Sequence, residues 1–116
     1  MALKSARKKG SNYELQLVRL FKDFGYKSCC TSRLESKARD FAGIDLCNSG
    51  IFEVQAKAVE KLGPPHPILA KMPKTKGKIN LLFHKKNHSG SVVSMTQEDF
   101  VTIVKMLIKS GQIKPE

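Results

Sequence analysis

The chain has 116 residues, 41% of them hydrophobic and 27% charged, an ordinary globular mix with mass enough for one domain spanning 1–116 and one two-layer core. Twenty-one Lys and Arg against ten Asp and Glu give a net charge of +11, which points to a polyanionic partner. No apolar run approaches the roughly 20 residues of a membrane span, and the charged start at 1–10 lacks the apolar core of a secretory signal.

In chain order, residues 1–10 read as a flexible basic arm carrying Lys4, Arg7, Lys8 and Lys9. Ser11 or Asn12 then caps a helix through a side-chain oxygen. Its apolar stripe is Tyr13, Leu17, Leu20, Phe21 and Phe24, and Gly25 ends it. Residues 26–32 read as a strand. Leu34 to Ala42 is polar and aperiodic, so it reads as a long loop, the kind of segment that often carries function. Two short strands follow, around Gly43-Ile44-Asp45-Leu46 and over Ile51 to Lys57, joined by the turn-forming Asn48-Ser49-Gly50. Residues 61–73 hold four of the five prolines and allow a single helical turn around Ile68 to Lys71. Strands are expected over 79–83 and 91–95, with a polar link over 84–90. Thr96 with Asp99 then caps a last helix whose apolar face is Phe100, Val101, Val104, Leu107 and Ile108. The expected fold is α/β: a mixed sheet of about five strands flanked by helices.

The segment 51–57 holds the chemistry. Alternation along a strand puts Phe52, Val54 and Ala56 on one face and Glu53, Gln55 and Lys57 on the other. With Asp45 on the preceding strand, that polar face offers oxygen donors beside an amine, as a divalent metal and a phosphodiester require. Glu14, in the first helix, is expected to join them and to hold a second ion or a metal-bound water. Carboxylates in so positive a chain meet phosphates best through a bound cation. Asp40 is placed to assist from the loop, although an Asp before a turn is mostly structural. Cys29, Cys30 and Cys47 are odd in number and lack zinc spacing, so they read as reduced thiols. His66, His84 and His88 lack ligand spacing and read as surface residues.

Taken together, a helix-borne Glu14, then Gly43-Ile44-Asp45, then Glu53-Val54-Gln55-Ala56-Lys57 resembles the PD-(D/E)xK nuclease superfamily over roughly residues 10–60. Within it the chain is most similar to Holliday-junction resolvases of the archaeal and phage type, through Gly10-Ser11-Asn12-Tyr13-Glu14. It is also similar to Mrr-type nucleases, which use Gln-x-Lys in place of Glu-x-Lys. The resemblance implies a restriction-endonuclease-like fold and a Mg²⁺ cofactor, with Mn²⁺ able to substitute. It implies metal ligands among Glu14, Asp45, Glu53 and Gln55, a catalytic Lys57, and a product with a 5′-phosphate and a 3′-hydroxyl. It also implies a homodimer acting on DNA in the cytoplasm, the host's in the case of a phage protein, in association with the nucleoid.

Two frames remain open. In the first, Gln55-Ala56-Lys57 is the half-motif, Gln55 replaces the acid and Glu53 supplies the missing charge. In the second, Glu53-Val54-Gln55 is the half-motif and Gln55 replaces the lysine. The first is favoured, because glutamine cannot handle a proton. DNA contacts are expected from Arg7, Lys8, Lys9, Ser32, Arg33, Lys37, Arg39, Lys85 and Lys86, with Lys71, Lys74, Lys76 and Lys78 as a further basic patch. No base-reading motif accompanies them, so backbone shape rather than sequence is the expected determinant. Two rivals stand beside the resolvase: a restriction or repair nuclease on duplex DNA, and an inactive nucleic-acid-binding module in which Gln55 marks a lost acid.

Overall fold

The computed structural model describes residues 2–116, with side chains from Arg7 onward, so the side chain of Lys4 lies outside the described residues. Helix α1 runs Ala2–Phe24. It starts well before Ser11 and Asn12, which therefore lie inside it rather than capping it, and the backbone of the basic segment 2–10 forms its first turns. Its end is as expected. Gly25 adopts φ +118, the Gly25 N–H donates to the Lys22 carbonyl and the Tyr26 N–H to that of Phe21, both at 3.0 Å. This is the paired closure of a Schellman motif, which needs a residue tolerant of positive φ. The buried stripe is Tyr13, Leu17, Val18 and Phe21; Leu20 and Phe24 stay exposed.

Strand β1 is only Cys30–Thr31, shorter than expected because the closure at Gly25 and Tyr26 runs into a turn in which the Cys29 N–H donates to the Tyr26 carbonyl. The expected loop after it is instead two short helices, α2 (Ser32–Glu35) and α3 (Lys37–Phe41). Ser36 separates them with φ −153, ψ 107, and its side chain accepts from the Arg39 N–H. Strand β2 (Leu46–Cys47) leads through the Asn48-Ser49-Gly50 turn into β3 (Phe52–Ala58). Asn48 and Gly50 have φ 58 and 67. At Gly50 a Cβ would stand 2.5 Å from the Tyr26 ring, so no larger residue fits there. The proline-rich connector holds α4 (Pro65–Lys71), longer than one turn, with a proline in the first turn, where no backbone donor is lost. Strands β4 (Ile79–Lys86) and β5 (Gly90–Ser94) follow. Helix α5 (Gln97–Lys109) has the expected Thr96 cap, accepting from the Asp99 N–H at 3.1 Å. The Asp99 carboxylate does not return to Thr96; it accepts from the Asn80 N–H at 3.3 Å and ties the helix start to β4.

The fold is mixed α/β with five strands, divided between two small sheets rather than joined in one. Strands β1 and β2 pair antiparallel; β3 pairs parallel with β4, and β4 antiparallel with β5. The parallel pair is reached through the α4 connector, as a crossover requires. Apolar residues fill both faces of the larger sheet. Val54, Ile79, Leu81 and Phe83 pack with Tyr13, Leu17 and Phe21 of α1. Leu82 packs on the opposite face with Ile44, Leu69 and Met72. Helix α5 buries no residue, and Phe100, Val101 and Ile108 of its expected apolar face are exposed. Among the described residues, no helix is long and apolar enough to cross a membrane.

Candidate active site

Asp45 stands where the two sheets meet, just before β2. Its N–H donates to the Val54 carbonyl at 2.7 Å, and its own carbonyl accepts from the Ser32 N–H at 2.8 Å. Its Oδ2 accepts from the Ala56 N–H at 2.7 Å. Two of these contacts fix it against the middle of β3, beside Gln55 and Lys57, and the third ties it to the start of α2.

The carboxyl is pushed up from 3.8 to about 6, chiefly by burial. The Ala56 N–H opposes that shift; the negative charges of Glu14 and Asp40 add to it, and Lys57 opposes it. A carboxyl raised by burial and by neighbouring acids marks a place where added positive charge is favoured. Glu14 reaches this region from α1, its side chain 12% exposed. Gln55 lies under Gly43, whose φ of +82 only glycine adopts freely; a Cβ there would stand 3.5 Å from the Gln55 amide. Glu14, Asp45, Gln55 and Lys57 are thus brought to one locality.

Glu53 stands apart from them. It is buried, and Arg39 grips it two-pronged, Nη1 to Oε2 at 3.1 Å and Nη2 to Oε1 at 3.3 Å. Arg39 Nη2 also donates to the Leu46 carbonyl at 2.7 Å. A metal ligand was expected of Glu53 and a DNA contact of Arg39; in the structure the two charges satisfy each other and clamp α3 to β3. Similarly, Arg33 Nη2 donates to Glu14 Oε1 at 2.8 Å and to Ser11 Oγ at 2.9 Å. That bond to Glu14 raises the guanidinium pKa, against its own desolvation. Arg33 remains 47% exposed, with donors to spare for solvent or a phosphate.

The other expected DNA contacts divide by exposure. Arg7, Lys8 and Lys9 lie exposed on the first turns of α1, Lys37 on α3 and Lys86 at the end of β4. Lys85 is half-buried, with Nζ 6.0 Å from the Tyr13 ring centre and donating to Gln16 Oε1 at 3.2 Å. Ser32 is the exception: it is completely buried, and its Oγ accepts from the Cys47 thiol at 3.6 Å. Its side chain anchors the β1–β2 pair and cannot meet a phosphate. The three cysteines are free thiols.

Asp40, read from the sequence as mostly structural with an assisting role open to it, lies near enough to act on Asp45. It raises the Asp45 carboxyl from α3. Ser36 caps the turn of helix, Lys37–Phe41, that carries it. Among the described residues, no three His, Cys, Asp or Glu side chains gather closely enough to hold a metal by themselves. Comparison of the chain with protein-family models, curated sequences and solved structures gives no match.

Proposed function

We propose that the chain is a metal-dependent DNA endonuclease with PD-(D/E)xK chemistry, resolving four-way junctions by paired symmetric nicks as a homodimer. The observation that carries this reading is the attachment of the Asp45 carboxylate to the Ala56 N–H at 2.7 Å. It sets the acid between Gln55 and Lys57, with Glu14 close enough to act on it. This favours Lys57 as the lysine of the half-motif; the charge that this frame expected from Glu53 is committed to Arg39, so Glu14, with only one oxygen held by Arg33, supplies it instead.

The donor set fits a hard cation. Mg²⁺ commonly binds protein through one or two carboxylates, keeps several waters and takes substrate phosphate oxygens, so a cluster of three acids is not required. Asp45, Glu14 and the Gln55 amide oxygen would hold it, and Mn²⁺ would fit the same oxygens. When bound, the ion polarises the phosphate and acidifies its water. Lys57 positions the attacking water and offsets charge as it builds on the phosphorus oxygens. Arg33 binds a flanking phosphate with the donors that Glu14 leaves free. The exposed cations of α1, α3 and β4 hold the DNA backbone, and the work is done in the cytoplasm.

The decisive experiment gives purified protein Mg²⁺ with a labelled four-way junction and with matched linear duplex. Metal-dependent paired nicks on opposing strands of the junction, with duplex cut far more slowly, are the expected result. Equal cutting of both would leave a restriction- or repair-type nuclease, and no cutting of either an inactive binding module.

A further inference from the structure

Strand β5 is the outer strand of its sheet, and nothing on it guards the open edge. Edge strands are ordinarily protected from pairing by lysine, proline or a bulge. Gly90-Ser91-Val92-Val93-Ser94 has neither charge nor proline. Val92 and Val93 are 58% and 47% exposed. Beyond them Phe100 and Val101 of α5 are 55% and 40% exposed. A groove of about 810 Å³ runs alongside, lined in part by Leu69, Ala70, Val93, Met95 and Phe100, with the cation of Lys74 on the α4 side.

The charge distribution says what this surface suits. Residues 87–104 form the longest stretch of the chain without Lys or Arg, and Glu98 and Asp99 lie within it. A polyanion has no reason to settle there. A second copy, itself at +11, meets little repulsion from an edge strand that carries no charge of its own. An antiparallel edge can pair with its own copy about a two-fold axis, each strand meeting the same residues in reverse.

We infer that the outer edge of β5, with the exposed apolar side of α5, is the surface through which two copies of this chain associate, β5 pairing antiparallel with β5. The pairing satisfies the free N–H and C=O groups of both edges and joins the two three-stranded sheets into one. It covers Val92, Val93 and Phe100 while leaving the basic turns of α1 and the Asp45 region open on each copy. The choice of a second copy rests in part on the two-site reading above.

Oligomeric state, measured by sedimentation without DNA or metal, separates the two ideas. The wild-type chain is expected to sediment as a dimer at micromolar concentration, and Val92→Lys and Val93→Lys as monomers with unchanged circular dichroism. Hydrogen exchange on the wild-type chain gives a reading independent of how the variants fold: amides of 91–95 should slow as concentration rises through the association range. A monomeric wild type, folded variants that remain dimeric, or slowing confined to another segment overturns the assignment. A β5 dimer that fails to nick DNA supports the surface and removes the nuclease, whereas a nicking monomer does the reverse.

Discussion

At the scale of single residues, the raised Asp45 carboxyl makes a claim about stability as well as chemistry. Its folded value, about 6, lies above the ordinary 3.8, so between those values the folded state binds more protons than the unfolded one. Stability from this group is therefore present below pH 4 and lost as pH rises through 6. Asp45→Asn removes the penalty, and its amide oxygen can still accept from the Ala56 N–H. The variant should be more stable than wild type above pH 6, on the order of 1–2 kcal/mol, and no more stable near pH 4. It should cut no DNA yet bind junctions as well or better. Thermal unfolding at two pH values, beside a binding assay, checks both halves; binding lost with cleavage would make Asp45 a folding residue instead.

Lys57 and Glu53 answer a different question. Lys57→Ala should lower turnover by orders of magnitude with little loss of stability. Glu53→Gln should leave the Arg39 guanidinium unbalanced and cost about 2–4 kcal/mol, while activity per folded molecule survives. The opposite pattern, measured by single-turnover cleavage and denaturant unfolding, would return the chemistry to the Glu53 frame.

The elements differ in how legible they were. Strand β3 was written in the alternation of Phe52, Val54 and Ala56 with Glu53, Gln55 and Lys57, and this pattern placed most of the site. The end of α1 at Gly25 and the start of α5 at Thr96 were legible for a related reason, since each depends on one residue's own geometry. Helices α2 and α3 were not legible. Four and five residues are too few to show a helical stripe, and isolated helices so short do not hold. Arg39 on Glu53 and the Asp45 carbonyl on the Ser32 N–H hold them, and both partners are distant in sequence. For the same reason sequence could nominate Arg33, Arg39, Glu14 and Glu53 but not pair them. The start of α1 was misplaced because Gly10 and two capping residue types look like a boundary, although a helix tolerates all of them at modest cost. At the other end of the chain, Thr96→Ala should cost about 1 kcal/mol, visible as faster hydrogen exchange in the first turn of α5 before any change at β3 or β4.

For the whole molecule, the charge sets the range of conditions under which it works. On the proposed reading, a chain at +11 gains DNA affinity by releasing the cations condensed on phosphate, so the dissociation constant should rise steeply and linearly on a log–log scale with salt. Removing Lys8 and Lys9 together should weaken junction and duplex alike and flatten that slope by about two, as titrations at several salt concentrations would show.

The two sheets are joined by the main chain of Asp45 and by Leu46, which is buried in the core beside α1, and on the proposed reading that joint makes activity more fragile than the fold. The smaller sheet has two residues per strand; its backbone ties nearby are the Asp45–Val54 and Ser32–Asp45 hydrogen bonds. So few hydrogen bonds are expected to open locally, withdrawing Leu46 from its packing, while α1 stays on the larger sheet. Such an opening would draw the carboxylate away from Ala56 and dismantle the candidate site before the larger sheet melts. In a urea titration, cleavage should therefore disappear at concentrations where the far-ultraviolet signal is still native. Coincident loss of the two would mean that the smaller and the larger sheet unfold as one unit.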